Sequence, residues 1–202
     1  MSMRLILAEQ REKLPVLVDA TKCSGKTYIV TGSNVGIGLE TARHLAKSSA
    51  ARVILAVRNV KAGEAARSDI ERTTGRTGVV SVWHLDLASS PSIKTFASKA
   101  NNEIDRVDAL INNAGVWWDS WTETEGTETS MTVNVLNTMF LSMLMMPKLM
   151  ETARIYGTQP RMIFLVSGLG FQAGARKEMA KGGRSDILKN INNRKDQAMS
   201  QR

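Results

Sequence analysis

The chain has 202 residues, 43% of them hydrophobic and 23% charged, which suits one domain with its own core and excludes a disordered polymer. One cysteine, Cys23, excludes an intramolecular disulfide framework and points to a reducing, cytoplasmic compartment. The net charge of +8 gathers at the end of the chain, where residues 174–202 hold eight Lys or Arg against three acids and no aromatic. That pattern reads as a solvated basic tail and not as a nucleic-acid surface, which needs aromatic platforms for the bases.

Residues 1–24 read as an N-terminal extension, because Leu5-Ile6-Leu7 is followed at once by Glu9, Arg11, Glu12 and Lys13. Such a patch is too short and too charged for a signal or membrane segment. Tyr28–Val30 predicts a first strand and Leu39–Ser48 a helix with Leu39, Ala42, Leu45 and Ala46 on one face. The continuous run Val53–Val57 predicts a strand covered on both sides. Ala62, Ala65, Ala66 and Ile70 recur at helical spacing over Ala62–Arg72, with Gly75 as the stop. Val79–Leu85 is a third strand, and Ser89 or Ser90 caps a helix with Pro91 in its first turn. Ile93, Phe96, Ala97 and Ala100 form that helix's apolar stripe. Val107–Ile111 predicts a fourth strand, Thr129–Met150 a long helix and Arg161–Val166 a fifth strand. Within the long helix Met139–Met146, interrupted by Ser142 and closed by Pro147, predicts a buried segment and no membrane span. Only a weak helix, Ser185–Lys189, is expected in the tail.

Strands alternating with helices predict an α/β fold with a parallel sheet and right-handed crossovers, whose ligands lie at the carboxyl ends of the strands. The unusual motifs all fall at such ends. Thr31-Gly32-Ser33-Asn34-Val35-Gly36-Ile37-Gly38 follows the first strand and opens a helix. Gly32 suits a tight turn, Gly36 a close approach of a pyrophosphate, and Gly38 close packing of helix on strand. Arg58-Asn59 ends the second strand with no acid, so a ribose 2′-phosphate is favoured over free ribose hydroxyls. Asp86-Leu87 ends the third strand, where the carboxylate serves either an adenine amino group or a helix cap. Asn112-Asn113-Ala114-Gly115 ends the fourth, with small residues to admit a cofactor and asparagines to tie strands together. Trp117, Trp118 and Trp121 follow, as pocket wall or as ordinary packing.

In this order these motifs, with Val133-Asn134-Val135 and Val166-Ser167, resemble the short-chain dehydrogenase/reductase family, and specifically its retinol-dehydrogenase-like branch found in fungal secondary metabolism. The resemblance covers about residues 25–173. It implies a Rossmann-type, doubly wound sheet, here incomplete at about five strands. It also implies an NADP(H) or NAD(H) cofactor, with Arg58 favouring NADP(H), and hydride exchange between a small-molecule alcohol and a carbonyl. By position, Gly32, Asn34, Gly36, Ile37, Gly38, Arg58, Asp86, Asn113, Ala114 and Gly115 resemble the cofactor-binding residues. Asn134 resembles the helix asparagine that holds a water in a proton relay, and Ser167 the serine that polarises the carbonyl, with Gly168 as the alternative register.

The family's proton-donating tyrosine and the lysine four residues after it lie beyond that serine. No tyrosine follows Ser167 here; Tyr28 falls in the first strand and Tyr156 in a predicted loop, with Gly32 and Pro160 four residues on. The expectation is an enzyme truncated before Tyr-x-x-x-Lys, or alternatively an inactive dinucleotide-binding or partner-binding protein. The fifth strand is then an open edge through which the chain self-associates.

Overall fold

The computed structural model of the protein describes residues 15, 17–118, 120–167 and 192. Gly168, the Ser185–Lys189 helix and, apart from Asn192, the basic tail lie outside the described residues.

Five parallel strands form the sheet: β1 (Thr27–Thr31), β2 (Arg52–Val57), β3 (Val80–His84), β4 (Ala109–Asn112) and β7 (Arg161–Phe164), in the order β3-β2-β1-β4-β7. A two-stranded hairpin, β5 (Glu123–Thr124) and β6 (Thr127–Glu128), stands apart. Helices are α1 (Ala20–Cys23), α2 (Gly36–Lys47), α3 (Val60–Thr74), α4 (Ser90–Glu103), α5 (Thr129–Met131) and α6 (Thr138–Tyr156). A π-helical segment, Thr132–Asn137, joins the last two.

Alternation along each strand divides the core between two faces. Ile29, Ile54 and Leu110 pack with Phe96 of α4 and Leu141 and Met145 of α6. Val30, Val53, Leu55 and Ile111 pack with Ala42 and Leu45 of α2 and with Ala66 and Ile70 of α3. Helices on both faces make the sheet doubly wound, and each central strand must be apolar on both sides, as its sequence is.

The elements follow the sequence closely, with instructive differences. The buried face of α3 is Gly63, Ala66 and Ile70, and Ala65 is exposed. A Cβ on Gly63 would meet Val82 and Val57 within 2.7 Å, so the missing side chain lets the helix sit down on the sheet. Helix α4 is capped by Ser89, whose Oγ accepts from Ser92 N at 3.3 Å. The long helix ends at Tyr156 and not at Met150, since its stop is Gly157 in the left-handed region at φ 60°. Pro147 lies inside α6, on an exposed turn where the carbonyl it leaves without a donor faces water. That helix is also not the fully buried segment expected. Leu141, Met145 and Leu149 are buried, whereas Met139, Met143, Met146 and Met150 are exposed. By length and apolarity the helical run Thr129–Tyr156 could cross a bilayer, but one of its faces packs against α4 and β4. Strand β7 stops at Phe164, and among the described residues only β4 pairs with it.

Candidate functional site

The chain runs β1, β2, β3 outward in one direction and then returns to place β4 on the other side of β1. The connections leaving β1 and β4 therefore diverge, and a crevice opens at the carboxyl ends of those two strands. A single residue seals its floor. Thr31 Oγ1 accepts hydrogen bonds from the Asn113 and Ala114 backbone N–H groups, both at 3.0 Å. The Asn113 side-chain amide completes the seam by donating to Thr31 O at 2.9 Å and Gly32 O at 3.2 Å. Behind it Asn112 Nδ2 donates to Ser142 Oγ at 3.2 Å and ties β4 to α6. The asparagine pair thus holds strand to strand and strand to helix.

The glycine turn is built against that seam. Gly36 begins α2 at φ 59°, and the N-cap residue Val35 offers no side-chain acceptor to the free N–H groups of the first turn. Among the described residues, no atom outside its own turn comes within 4 Å of where a Gly36 Cβ would stand, so the turn is open on the side a ligand would approach. An uncapped helix N-terminus in open space is an anion site in waiting. At Gly38 the opposite holds: a Cβ there would collide with the Asn113 side-chain amide and come within 2.7 Å of Gly32 O. Glycine at 38 is required by the seam itself.

A cleft of about 450 Å³ runs from this turn toward β2 and β3, lined among others by Gly32, Asn34, Arg58, Asp86, Ala114 and Gly115. Arg58 is exposed at the tip of β2, and no acid lies beside it in the sequence. Asp86 Oδ1 accepts from Ala88 N at 2.9 Å, which stabilises the turn before α4 and is not the helix cap, a role taken by Ser89. Asn113 also lines the cleft, whereas Gly36, Ile37 and Gly38 belong to the first turn of α2 at its border. Asn134 sits in the π-helical segment and is fully engaged: its Oδ1 accepts from Val116 N and its Nδ2 donates to Val116 O, each at 2.8 Å. The wider turn presents the asparagine to the chain leaving β4; π-bulges recur at functional sites for this reason. Ser167 follows β7, the strand next to β4, and does not line the cleft.

Sequence reasoning missed three contributors. Thr31 reads only as the opening residue of the glycine motif, with no partner of its own. Glu125, at φ 52° in the hairpin turn, accepts from Ser90 N at 2.7 Å, Ser90 Oγ at 2.6 Å and Asn137 Nδ2 at 3.2 Å. Hydrogen bonds from Ser90 hold its carboxyl below the usual glutamate range. Asn137 Nδ2 donates at 2.7 Å to Leu87 O, a residue of the cleft, so the hairpin buttresses the cleft wall. The one legible signal was Glu125-Gly126 as a turn pair.

Neither tyrosine reaches the cleft. Tyr28 is buried near the start of β1, at the opposite end of the sheet, and burial pushes its phenol up. Tyr156 closes α6 and not a loop, with the Arg106 guanidinium 4.2 Å over its ring, also at that opposite end.

The family model for short chain dehydrogenases matches residues 26–180. Curated relatives include the short chain dehydrogenase/reductase dmxR8 of Cryptosporiopsis sp., 46% identical over 138 residues that cover 68% of this chain and 43% of that protein. Human retinol dehydrogenase 13 is 44% identical over 151 residues, 74% of this chain and 43% of that protein. The chain thus spans less than half the length of both. Among solved structures, a metagenomic short-chain oxidoreductase in complex with NADP matches with a TM-score of 0.62 and 29% identity, covering 74% of this chain and 66% of that one. A short chain dehydrogenase from Escherichia coli CFT073 complexed with NADPH matches at a TM-score of 0.61 and 26% identity, over 74% of this chain and 62% of that one. A doubly wound sheet, an uncapped glycine turn at its switch point and a family match over three quarters of the sequence agree: the chain belongs to the short-chain dehydrogenase/reductase family.

Proposed function

We propose that the chain forms the cofactor-binding part of an NADP(H)-dependent oxidoreductase that interconverts a small-molecule alcohol and a carbonyl in the cytoplasm, within secondary-metabolite biosynthesis. The observation that carries the cofactor assignment is the tip of β2. Arg58 lines the cleft there, with Asn34 and Asn59 as its polar neighbours in the lining and no carboxylate on that strand tip to accept ribose hydroxyls. The residues present fit a dinucleotide phosphate. The open first turn of α2 offers N–H groups to the pyrophosphate, Arg58 offers a planar fork to the 2′-phosphate, and Asp86 borders the adenine end. The NADP and NADPH complexes of the two structural neighbours support the same choice.

Bound in this way, the cofactor supplies hydride chemistry. The chain's own part is to fix its position: Thr31 and Asn113 hold the floor, and Asn134 pins Val116 beside it. Ser167, at the end of β7, would donate its hydroxyl proton in a hydrogen bond to the substrate oxygen.

NADPH should bind more tightly than NADH, since a charge-assisted hydrogen bond to Arg58 contributes ~1.5–3 kcal/mol. Fluorescence titration of both cofactors checks this, with Arg58→Ala expected to bring the two affinities together. Equal affinities in the unmodified protein would remove the assignment.

A second reading, a non-catalytic nucleotide-binding or partner-binding protein, draws on the placement of both tyrosines at the far end of the sheet and on the open edge of β7. Ile163, Phe164, Leu165 and Val166 are all exposed along that strand and its continuation. An unpaired apolar edge pairs readily with another. Multi-angle light scattering of the purified chain should therefore show concentration-dependent association, reduced by Ile163→Lys; a monomer at all concentrations would refute it.

A further inference from the structure

The four tryptophans of the chain fall into two groups. Trp83 is a buried residue of β3 and Trp121 is half-buried, whereas Trp117 and Trp118 are 65% and 44% exposed. The residues on either side of them are tied down by hydrogen bonds. Val116, just before them, is clamped through its N–H and its C=O by the Asn134 side chain. Thr122, just after Trp121, accepts from Thr129 N at 2.9 Å. Adjacent exposed indoles make a contiguous apolar patch, and such a patch marks a ligand or partner site.

Its position names the occupant. Trp118 lines the same cleft as the glycine turn, beside apolar side chains that include Val35, Val116 and Val133, of which Val35 is 64% exposed. The polar needs of a dinucleotide are met elsewhere, by the α2 turn, Arg58 and Asp86. The loop leaves the end of β4, between the glycine turn after β1 and the end of β7 that carries Ser167. Resting on the cofactor assignment above, we propose that Trp118, with Val35 beside it, forms an apolar wall of the cleft that selects flat aromatic ketones, quinones and their alcohols over saturated ones. An indole face offers a planar partner offset stacking over its whole area, which a puckered ring cannot match.

Equilibrium dialysis of the 202-residue chain with NADPH present tests this, with 9-fluorenone and cyclododecanone as probes. The unmodified protein should prefer fluorenone by about ten-fold, and Trp118→Ala should abolish the preference while Trp118→Phe retains most of it. NADPH affinity, measured separately, should stay within about two-fold in both variants. Because Trp118 is exposed, both variants should keep the far-ultraviolet circular dichroism of the parent. An unchanged preference in Trp118→Ala, or no preference in the parent, would overturn the proposal. So would a loss of NADPH binding in Trp118→Ala as large as the loss of fluorenone, since the indole would then pack on the nucleotide. Should the parent bind fluorenone with the stated preference yet fail to bind NADPH, the wall stands and the cofactor assignment falls.

Discussion

Supplied with saturating NADPH, the purified 202-residue chain is expected to reduce aldehydes, ketones and quinones no faster than buffer. The reason is geometric. A carbonyl that accepts hydride must also gain a proton, and a positioned general acid contributes ~10²–10⁴-fold to such a step. Tyr28 is buried at the wrong end of β1, and Tyr156 is held against Arg106 at the same end. Ser167 has a hydroxyl at the right end, but an alkoxide left behind on serine is far less stable than a phenolate, so in the proposed reaction it would be a hydrogen-bond donor and not the acid. A version extended with a Tyr-x-x-x-Lys segment from a relative should regain turnover by a factor in that range. Stopped-flow or steady-state loss of NADPH absorbance reads both. Robust turnover by the unextended chain would show that another group delivers the proton and would overturn the argument.

The second large effect is expected at Gly38. A single added methyl should cost ~1–3 kcal/mol of stability, the usual range for overpacking. It should also weaken NADPH binding, because the atoms it strikes are the Asn113 amide and the carbonyl of Gly32, the two sides of the seam. Urea unfolding of Gly38→Ala gives the stability term. The double variant Gly38→Ala, Asn113→Ala should be less destabilised than the sum of the two single changes, since truncating Asn113 removes half of the collision. Strict additivity would mean that the helix has shifted as a whole and that the seam does not set its position.

Much of this arrangement is legible in the sequence itself. Runs such as Val53–Val57 carry their own meaning, because only a strand covered on both faces needs five consecutive apolar residues. The glycine turn and the asparagine pair were legible for a related reason: few sequences place small residues at successive strand ends without something to accommodate. What stayed hidden is contact between residues distant in sequence. Nothing local marks Thr31 as the acceptor for Asn113, or Glu125 as the carboxylate that joins a hairpin to the start of α4. The end of the long helix, expected at Met150, was misplaced because its stop lies further on. Pro147 is accommodated on an exposed turn, and the helix continues to Gly157, ten residues later.

The crevice between β1 and β4 also has a kinetic meaning. Strand β1 meets β2 across a short segment of chain, whereas its pairing with β4 joins Tyr28 to Ala109. Closing so long a loop carries an entropic cost that grows with its length, and pairings of this kind come late in folding. The floor of the cleft, Thr31 with Asn113, belongs wholly to that late pairing. A half-assembled chain, with β1, β2 and β3 joined and β4 still free, has a glycine turn but no cleft. Nucleotide can therefore be held only by molecules whose sheet has closed on both sides of β1, and its binding energy acts on the folding equilibrium of the whole domain.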